Sequence, residues 1–287
     1  MTAQSTSTQS LTEHSVTEHS VTRSIGEAVG DAVRPLLEVR NITLRFGGVT
    51  AINDLSFDVR RNELFAVIGP NGAGKTSVFN CLNAVYRPQE GSIKLDGVEL
   101  IGTNPPFTVS QGIARTFQNI GLFVGLDVVA NLMLGRHHLM KGGFLAGLAF
   151  AGRTKQQEIQ HRRRVEEVME LLDLHVYRGQ PVGMLPYGVQ KRMELARALC
   201  MDPKLLLLDE PVAGMNANET EDMARYILEA QRELGISMIL VEHDMHMVMD
   251  VAERIVVIDF GQKISEGTPD EVRSDPRVIE AYLGSGA

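Results

Sequence analysis

Residues 64 to 86, LFAVIGPNGAGKTSVFNCLNAVY, constrain this chain more than any other stretch. A short apolar run enters a glycine-rich loop, and a helical apolar pattern follows at once. The order strand, glycine loop, helix predicts a phosphate cradle: Gly69, Pro70, Asn71, Gly72, Ala73, Gly74, Lys75 and Thr76 satisfy the P-loop spacing, with Ser77 next to it. Glycines let backbone amides turn inward, and the following helix aims its positive N-terminus at the same point. Lys75 is suited to neutralise β- and γ-phosphate charge, and the Thr76 hydroxyl to ligate Mg²⁺. Downstream, Val78, Phe79, Leu82 and Val85 are expected on one helical face.

Such a cradle needs carboxylates to hold the metal and activate water. The run LLLLDEP ends an apolar strand in Asp209 and Glu210, at the sheet edge where α/β ligands bind. Asp209 is the candidate for the Mg²⁺ shell and Glu210 for the general base. In VEHD, His243 occupies the end of another apolar run. It either supports the strand end or donates a hydrogen bond to the transferring phosphoryl group, and its place beyond Asp209 and Glu210 favours the second.

Elsewhere, LLEVRNITLRFGG and SFDVRRNELFAVIG read as strands. LLLLDEP, SMILVEH and RIVVID are fully apolar runs separated by helical patterns, as buried parallel strands are. A stretch from about 119 to 199 has helical periodicity and few strand signals. The expected fold is therefore α/β: a P-loop NTPase core with a mixed sheet, an N-terminal antiparallel β subdomain and an inserted helical subdomain. In this division residues 1–34 are a tail, 35–118 and 200–287 the core, and 119–199 the insertion. The tail is rich in Ser, Thr and Gln and repeats TEHSV, so it is expected to be disordered. It lacks the pattern of a signal peptide, and His14 and His19 make a poor metal site without a fold around them.

Composition narrows the function classes. A formal net charge of −8 over 287 residues gives no support to a nucleic-acid binder. The cluster His161-Arg162-Arg163-Arg164 is followed by Glu166 and Glu167 and reads as a solvated helix face. Cys81 and Cys200 lack metal-ligand spacing and read as core packers. No run approaches the ~20 apolar residues of a membrane span. GGFLAGLAFAG, at 142 to 152, reads as a packed or mobile helical insertion, with contact to a membrane partner as the alternative.

With these residues in order, the chain resembles the nucleotide-binding subunits of ABC transporters from about Leu36 onward. The supporting series is GPNGAGKTS, Gln118 in ARTFQN, LPYGVQKRMELARAL, LLLLDEP, PVAGMN and His243. The resemblance implies that Phe46 stacks on adenine and that Gln118 senses Mg²⁺ and γ-phosphate. It also implies that Gly188 approaches ATP held by a second subunit. ATP and Mg²⁺ are the implied cofactors. The implied partners are integral-membrane permease subunits, a second ABC ATPase subunit and, indirectly, a solute-binding protein. The implied location is the cytoplasmic face of the membrane, as a peripheral subunit.

Within that family FGGVTAINDLSFDV, ARTFQNIGLF, Tyr187-Gly188, GMN and EAYLG are similar to ATPase subunits of branched-chain amino acid importers. Relatives that move amides or urea share these features. A regulatory ATP-binding module and an exporter ATPase are the alternative readings. Pro186 and Val189 depart from the family's signature serine and glutamine, and Asn216 from an aspartate, which puts side-chain contacts across a dimer in doubt.

Overall fold

In a computed structural model of the chain, residues 34–116, 121–139 and 153–283 are described. The expected tail up to residue 33, Gln118, and the GGFLAGLAFAG stretch lie outside them. Strands β1 (Leu37–Phe46), β2 (Val49–Val59), β4 (Glu90–Leu95) and β5 (Val98–Glu99) form an antiparallel sheet in the order β2-β1-β4-β5. A second sheet contains β3 (Leu64–Ile68), β6 (Ile113–Arg115), β7 (Leu205–Asp209), β8 (Ser237–Val241), β9 (Arg254–Asp259) and β10 (Gln262–Gly267). Its order is β10-β9-β3-β8-β7-β6, parallel except for β10, which runs antiparallel to β9.

Unbroken apolar runs are what a sheet covered on both faces requires. Along β7, Leu206 and Leu208 join one core while Leu205 and Leu207 join the other, as the two-residue period of a strand dictates. The second core lies between this sheet, the antiparallel sheet and helix α1 (Lys75–Leu82). Phe57 and Phe65 stack there, ring centroids 5.5 Å apart.

The stretch SFDVRRNELFAVIG is divided between the two sheets. It leaves β2 at Val59 and enters β3 at Leu64. Asn62 in the turn is left-handed (φ 59°), and the Glu63 carboxylate accepts from Arg60 N at 2.6 Å while pairing with Arg254 at 3.0 Å. Helix α1 is also shorter than its sequence pattern. It ends at Leu82, Ala84 turns left-handed (φ 55°), and Val85 is exposed instead of continuing the apolar face.

Helix α2 (Pro105–Gln111) leads into β6. Helices α3 (Val128–Gly135), α4 (Arg153–Leu171) and α5 (Tyr187–Leu199) follow before β7. They pack through Leu132, Val165, Val168, Met169, Met193 and Ala196, continuous with the larger core. Here the reading of His161 as solvated is corrected. Its ring is buried, and its Nδ1 accepts from Arg136 Nε at 2.8 Å. Burial, and then the Arg136 charge, lower its pKa from the ordinary 6.5. Cys81 and Cys200 are buried, their thiols pushed up to about 12.

Beyond β7 come α6 (Ala217–Leu234), α7 (Met245–Val251), α8 (Pro269–Ser274) and α9 (Pro276–Leu283). Helix α6 begins in a capping box: Asn216 Oδ1 accepts from Glu219 N at 3.1 Å, and Glu219 Oε2 accepts from Asn216 N at 3.0 Å. Among the described residues, no helix is long and apolar enough to cross a membrane.

Candidate functional site: a phosphate loop beside two carboxylates

Sheet register assembles the site. Val67 of β3 lies opposite Val241 of β8, and Val241 lies opposite Asp209 of β7. The strand ends that carry the glycine loop, Asp209-Glu210 and His243 therefore share one edge, outside the carboxyl ends of parallel strands.

Gly69 opens the loop at φ 153°, and a Cβ there would lie 1.9 Å from the Ile258 carbonyl oxygen, so the backbone of β9 leaves room for glycine alone. The loop tip, Asn71 and Gly72, is exposed between half-buried Pro70 and buried Ala73. Gly74 caps α1 in the left-handed region. In the first turn of α1, Thr76 is exposed and Ser77 half-buried. The Lys75 amine curls back on its own loop, donating to the carbonyls of Gly69 at 2.6 Å and Pro70 at 3.0 Å. Burial lowers the Lys75 pKa, and the Glu210 charge opposes that shift.

Asp209 is buried and paired with Arg115 Nη2 at 2.6 Å. Arg115 Nη1 also donates to Asn80 Oδ1 at 2.8 Å, and the guanidinium lies 5.5 Å from the Phe79 ring centroid. The Thr116 hydroxyl accepts from Asp209 N at 3.2 Å. Glu210 adopts φ 47°, a conformation that side-chain-bearing residues rarely take, while its N–H donates to Val241 O at 2.9 Å. The strained conformation sits at the same strand edge as the glycine loop.

His243 is exposed at the same edge, its Nδ1 3.5 Å from Glu242 Oε2. Glu242 is buried and accepts from Val212 N at 3.1 Å and His243 N at 2.9 Å. It thereby ties the turn after Glu210 to the loop carrying His243. Arg115, Thr116 and Glu242 were not identified from sequence. Their one local signal is a polar residue at the end of an apolar run, and most of what they bind lies on other elements of the fold.

Phe46 closes β1 half exposed and meets Tyr86 edge-on, centroids 5.0 Å apart. That leaves ring surface for a planar ligand. Gly188 lies in the first turn of α5, where a Cβ would come within 2.6 Å of Glu219 Oε1. Pro186 is its exposed N-cap. Val189 is buried in the larger core and Asn216 is engaged in its capping box, so both have roles within this chain.

The model of the ABC transporter family matches residues 52–213, and that of the branched-chain amino acid ATP-binding cassette transporters matches residues 262–287. The chain is 41% identical over 251 residues to the high-affinity branched-chain amino acid transport ATP-binding protein BraF of Pseudomonas aeruginosa, covering 88% of this chain and 98% of that one. It is 37% identical to LivG of Escherichia coli K12, a protein of the same description, with the same coverage. The ADP conformation of an ATP-binding cassette of an ABC transporter superposes with a TM-score of 0.76 at 27% identity, covering 88% of this chain and 100% of that one. A nucleotide-free cassette superposes at 0.74 with 28% identity, covering 87% and 99%. A family model spanning residues 52–213, beside identity of this extent along nearly the whole chain, makes this protein a member of the ABC transporter family, one of its ATP-binding ATPase subunits.

Proposed function

We propose that the chain hydrolyses ATP to drive an importer of branched-chain amino acids, or of a closely related small polar solute such as an amide or urea. The observation that carries the catalytic part is the shared edge of β3, β7 and β8, from which the glycine loop, Asp209-Glu210 and His243 all emerge. The likeness to BraF and LivG supports the solute class.

Lys75 exchanges the Gly69 and Pro70 carbonyls for phosphate oxygens. Loop amides and the N-terminus of α1 share that charge, and Phe46 stacks on the base. Thr76 and Asp209 offer hydroxyl and carboxylate oxygens, the hard donors that Mg²⁺ takes together with phosphate, and the Asp209 carboxylate retains acceptor capacity beyond its bond to Arg115. Mg²⁺ held there supplies charge neutralisation at the phosphates. Glu210 orients and deprotonates the attacking water, His243 donates toward the phosphoryl oxygens, and Gln118 reports nucleotide occupancy.

A second ATPase subunit, a copy or a close relative, completes the site through its Gly188 and the N-terminus of its α5. Permease subunits dock on the helical part of the chain. Gly183 N donates to Val124 O at 3.0 Å, and this pairing brings together Phe123, Val124 and Met184, all exposed. Such an apolar surface fits a membrane partner. In this reading the subunit works at the cytoplasmic face of the membrane, with a solute-binding protein as an indirect partner and no role for nucleic acid.

The test is ATPase activity of the chain reconstituted with its permease and solute-binding protein. Branched-chain amino acids are expected to stimulate turnover, and Glu210→Gln to retain MgATP binding while turnover drops by at least a hundredfold. Normal turnover by Glu210→Gln would remove Glu210 as the base, and stimulation by other solutes alone would remove the solute assignment.

A further inference from the structure

The carboxylate of Glu242 joins the two turns that carry Glu210 and His243. Glu242 is the first residue after β8, and its side chain is buried while that of His243, one position on, is exposed. One oxygen, Oε1, accepts from Val212 N at 3.1 Å, two residues beyond Glu210. The other, Oε2, accepts from His243 N at 2.9 Å and from Asp244 N at 3.4 Å, and His243 Nδ1 lies 3.5 Å from it. Among the described residues no lysine or arginine pairs with this carboxylate, so backbone amides are what offset its burial.

Glu210 needs support of this kind. Its left-handed backbone, φ 47°, persists only where neighbouring bonds over-determine it. Those bonds run from Glu210 N to Val241 O at 2.9 Å, from Ala213 N to Glu210 O at 3.2 Å, and from Val212 N to Glu242. The end of β8 thus grips the Glu210 turn twice, through the backbone of Val241 and through the side chain of Glu242. A carboxylate suits this place because both of its oxygens are acceptors. A glutamine could turn its one oxygen to the Val212 amide or to the His243 amide, and its NH2 would then face the other donor.

We propose that Glu242 is a positioning residue for ATP hydrolysis, holding the Glu210 and His243 turns together so that base and hydrogen-bond donor address the same phosphoryl group. The inference rests on the ATPase reading above. Among the described residues, the hydrogen-bond partners of Glu242 lie on these two turns and none lies on the loop from Gly69 to Thr76. Loss of the carboxylate therefore leaves the phosphate cradle intact and displaces groups that act in the chemical step, where a misplacement of about 1 Å can cost about a hundredfold. The loss is expressed in kcat, with KM and nucleotide affinity little changed.

The test is Glu242→Gln in the full chain reconstituted with its permease, read as kcat and KM of ATP hydrolysis beside the Kd for MgATP. The expected result is a kcat lowered about ten- to a hundredfold, with KM and Kd within about twofold of wild type. Glu242→Asp keeps the charge but falls one methylene short of spanning the two turns. It is expected to show the same split, and it carries the test if the glutamine variant does not fold. A residue that only supported the fold would weaken nucleotide binding and turnover together. A kcat within about twofold of wild type in a folded variant, or a loss of kcat matched by an equal loss of MgATP affinity, overturns the proposal, as does failure of both variants to fold. A wild-type chain that hydrolysed no ATP would sink the ATPase reading and this inference together. Wild-type turnover beside equal turnover in Glu242→Gln sinks the inference alone.

Discussion

The hydroxyl of Tyr187 donates to the backbone carbonyl of Ala213 at 2.9 Å, joining the first residue of α5 to the turn that follows Glu210. The ring also lies against Gly214, whose missing Cβ would sit 3.2 Å from the hydroxyl oxygen. The bulk of the Tyr187 side chain thus reaches the turn after Glu210 of its own chain. Tyr187→Phe removes this bond at a half-exposed position. Unfolding free energy in urea is expected to fall by about 0.5–1 kcal/mol, with ATP turnover reduced several-fold because the turn beside Glu210 loses an anchor. Turnover equal to wild type would show that the anchor has no catalytic consequence.

Arg115 and Asp209 form a buried ion pair, their side chains 10% and 8% exposed. Removing one member leaves a charge without its partner in the interior. Arg115→Ala is expected to cost roughly 3–5 kcal/mol in equilibrium unfolding. The double variant Arg115→Met/Asp209→Leu is expected to recover part of that loss while remaining inactive. Additive losses in the double variant would mean that the two side chains act independently.

His161 offers a pH test. Its Nδ1 accepts from Arg136, so protonation would place a second cation against the guanidinium. The folded-state pKa is depressed below the unfolded 6.5. In the window between them the unfolded chain binds more protons, so stability is highest above that window and falls as pH drops through it. Urea midpoints at pH 7.5 and 5.5 are expected to show a decline that is smaller in His161→Met. Equal declines in the two proteins would count against this residue.

Gly69 and Gly72 separate steric exclusion from backbone preference. Gly69→Ala meets a backbone oxygen at 1.9 Å and is expected to abolish the thermal shift produced by MgATP. Gly72→Ala meets no atom within 4 Å, although its φ is 84°. It should fold with a loss of about 1–2 kcal/mol and retain a measurable shift. An intact shift in Gly69→Ala would show that β9 can yield.

Much of this architecture is legible along the chain because the signals are local. The apolar runs of β3, β7, β8 and β9 correspond to a sheet buried on both faces, and the spacing from Gly69 to Thr76 corresponds to a loop entering a helix. Local signals mislead where a short feature overrides the pattern. Val85 continues an apolar helical period, but the chain turns left-handed at Ala84. His161 belongs to a run of cations that looks solvated, but Arg136, 25 residues earlier, draws it inside.

By itself, the sequence determined the apolar runs that become β3, β7, β8 and β9 and the helix that follows the glycine loop, and it supplied the candidates for a phosphate site with two carboxylates. Backbone conformation and strand period depend on near neighbours, which a linear text preserves. Tertiary structure alone decided which groups meet. Arg115 reaches Asp209 across 94 positions through the pairing of β6 with β7, and Tyr187 reaches Ala213 across 26. The physical reason is that a hydrogen bond or ion pair needs atoms within about 3 Å. Sheet register and helix packing set that distance, and separation along the chain does not.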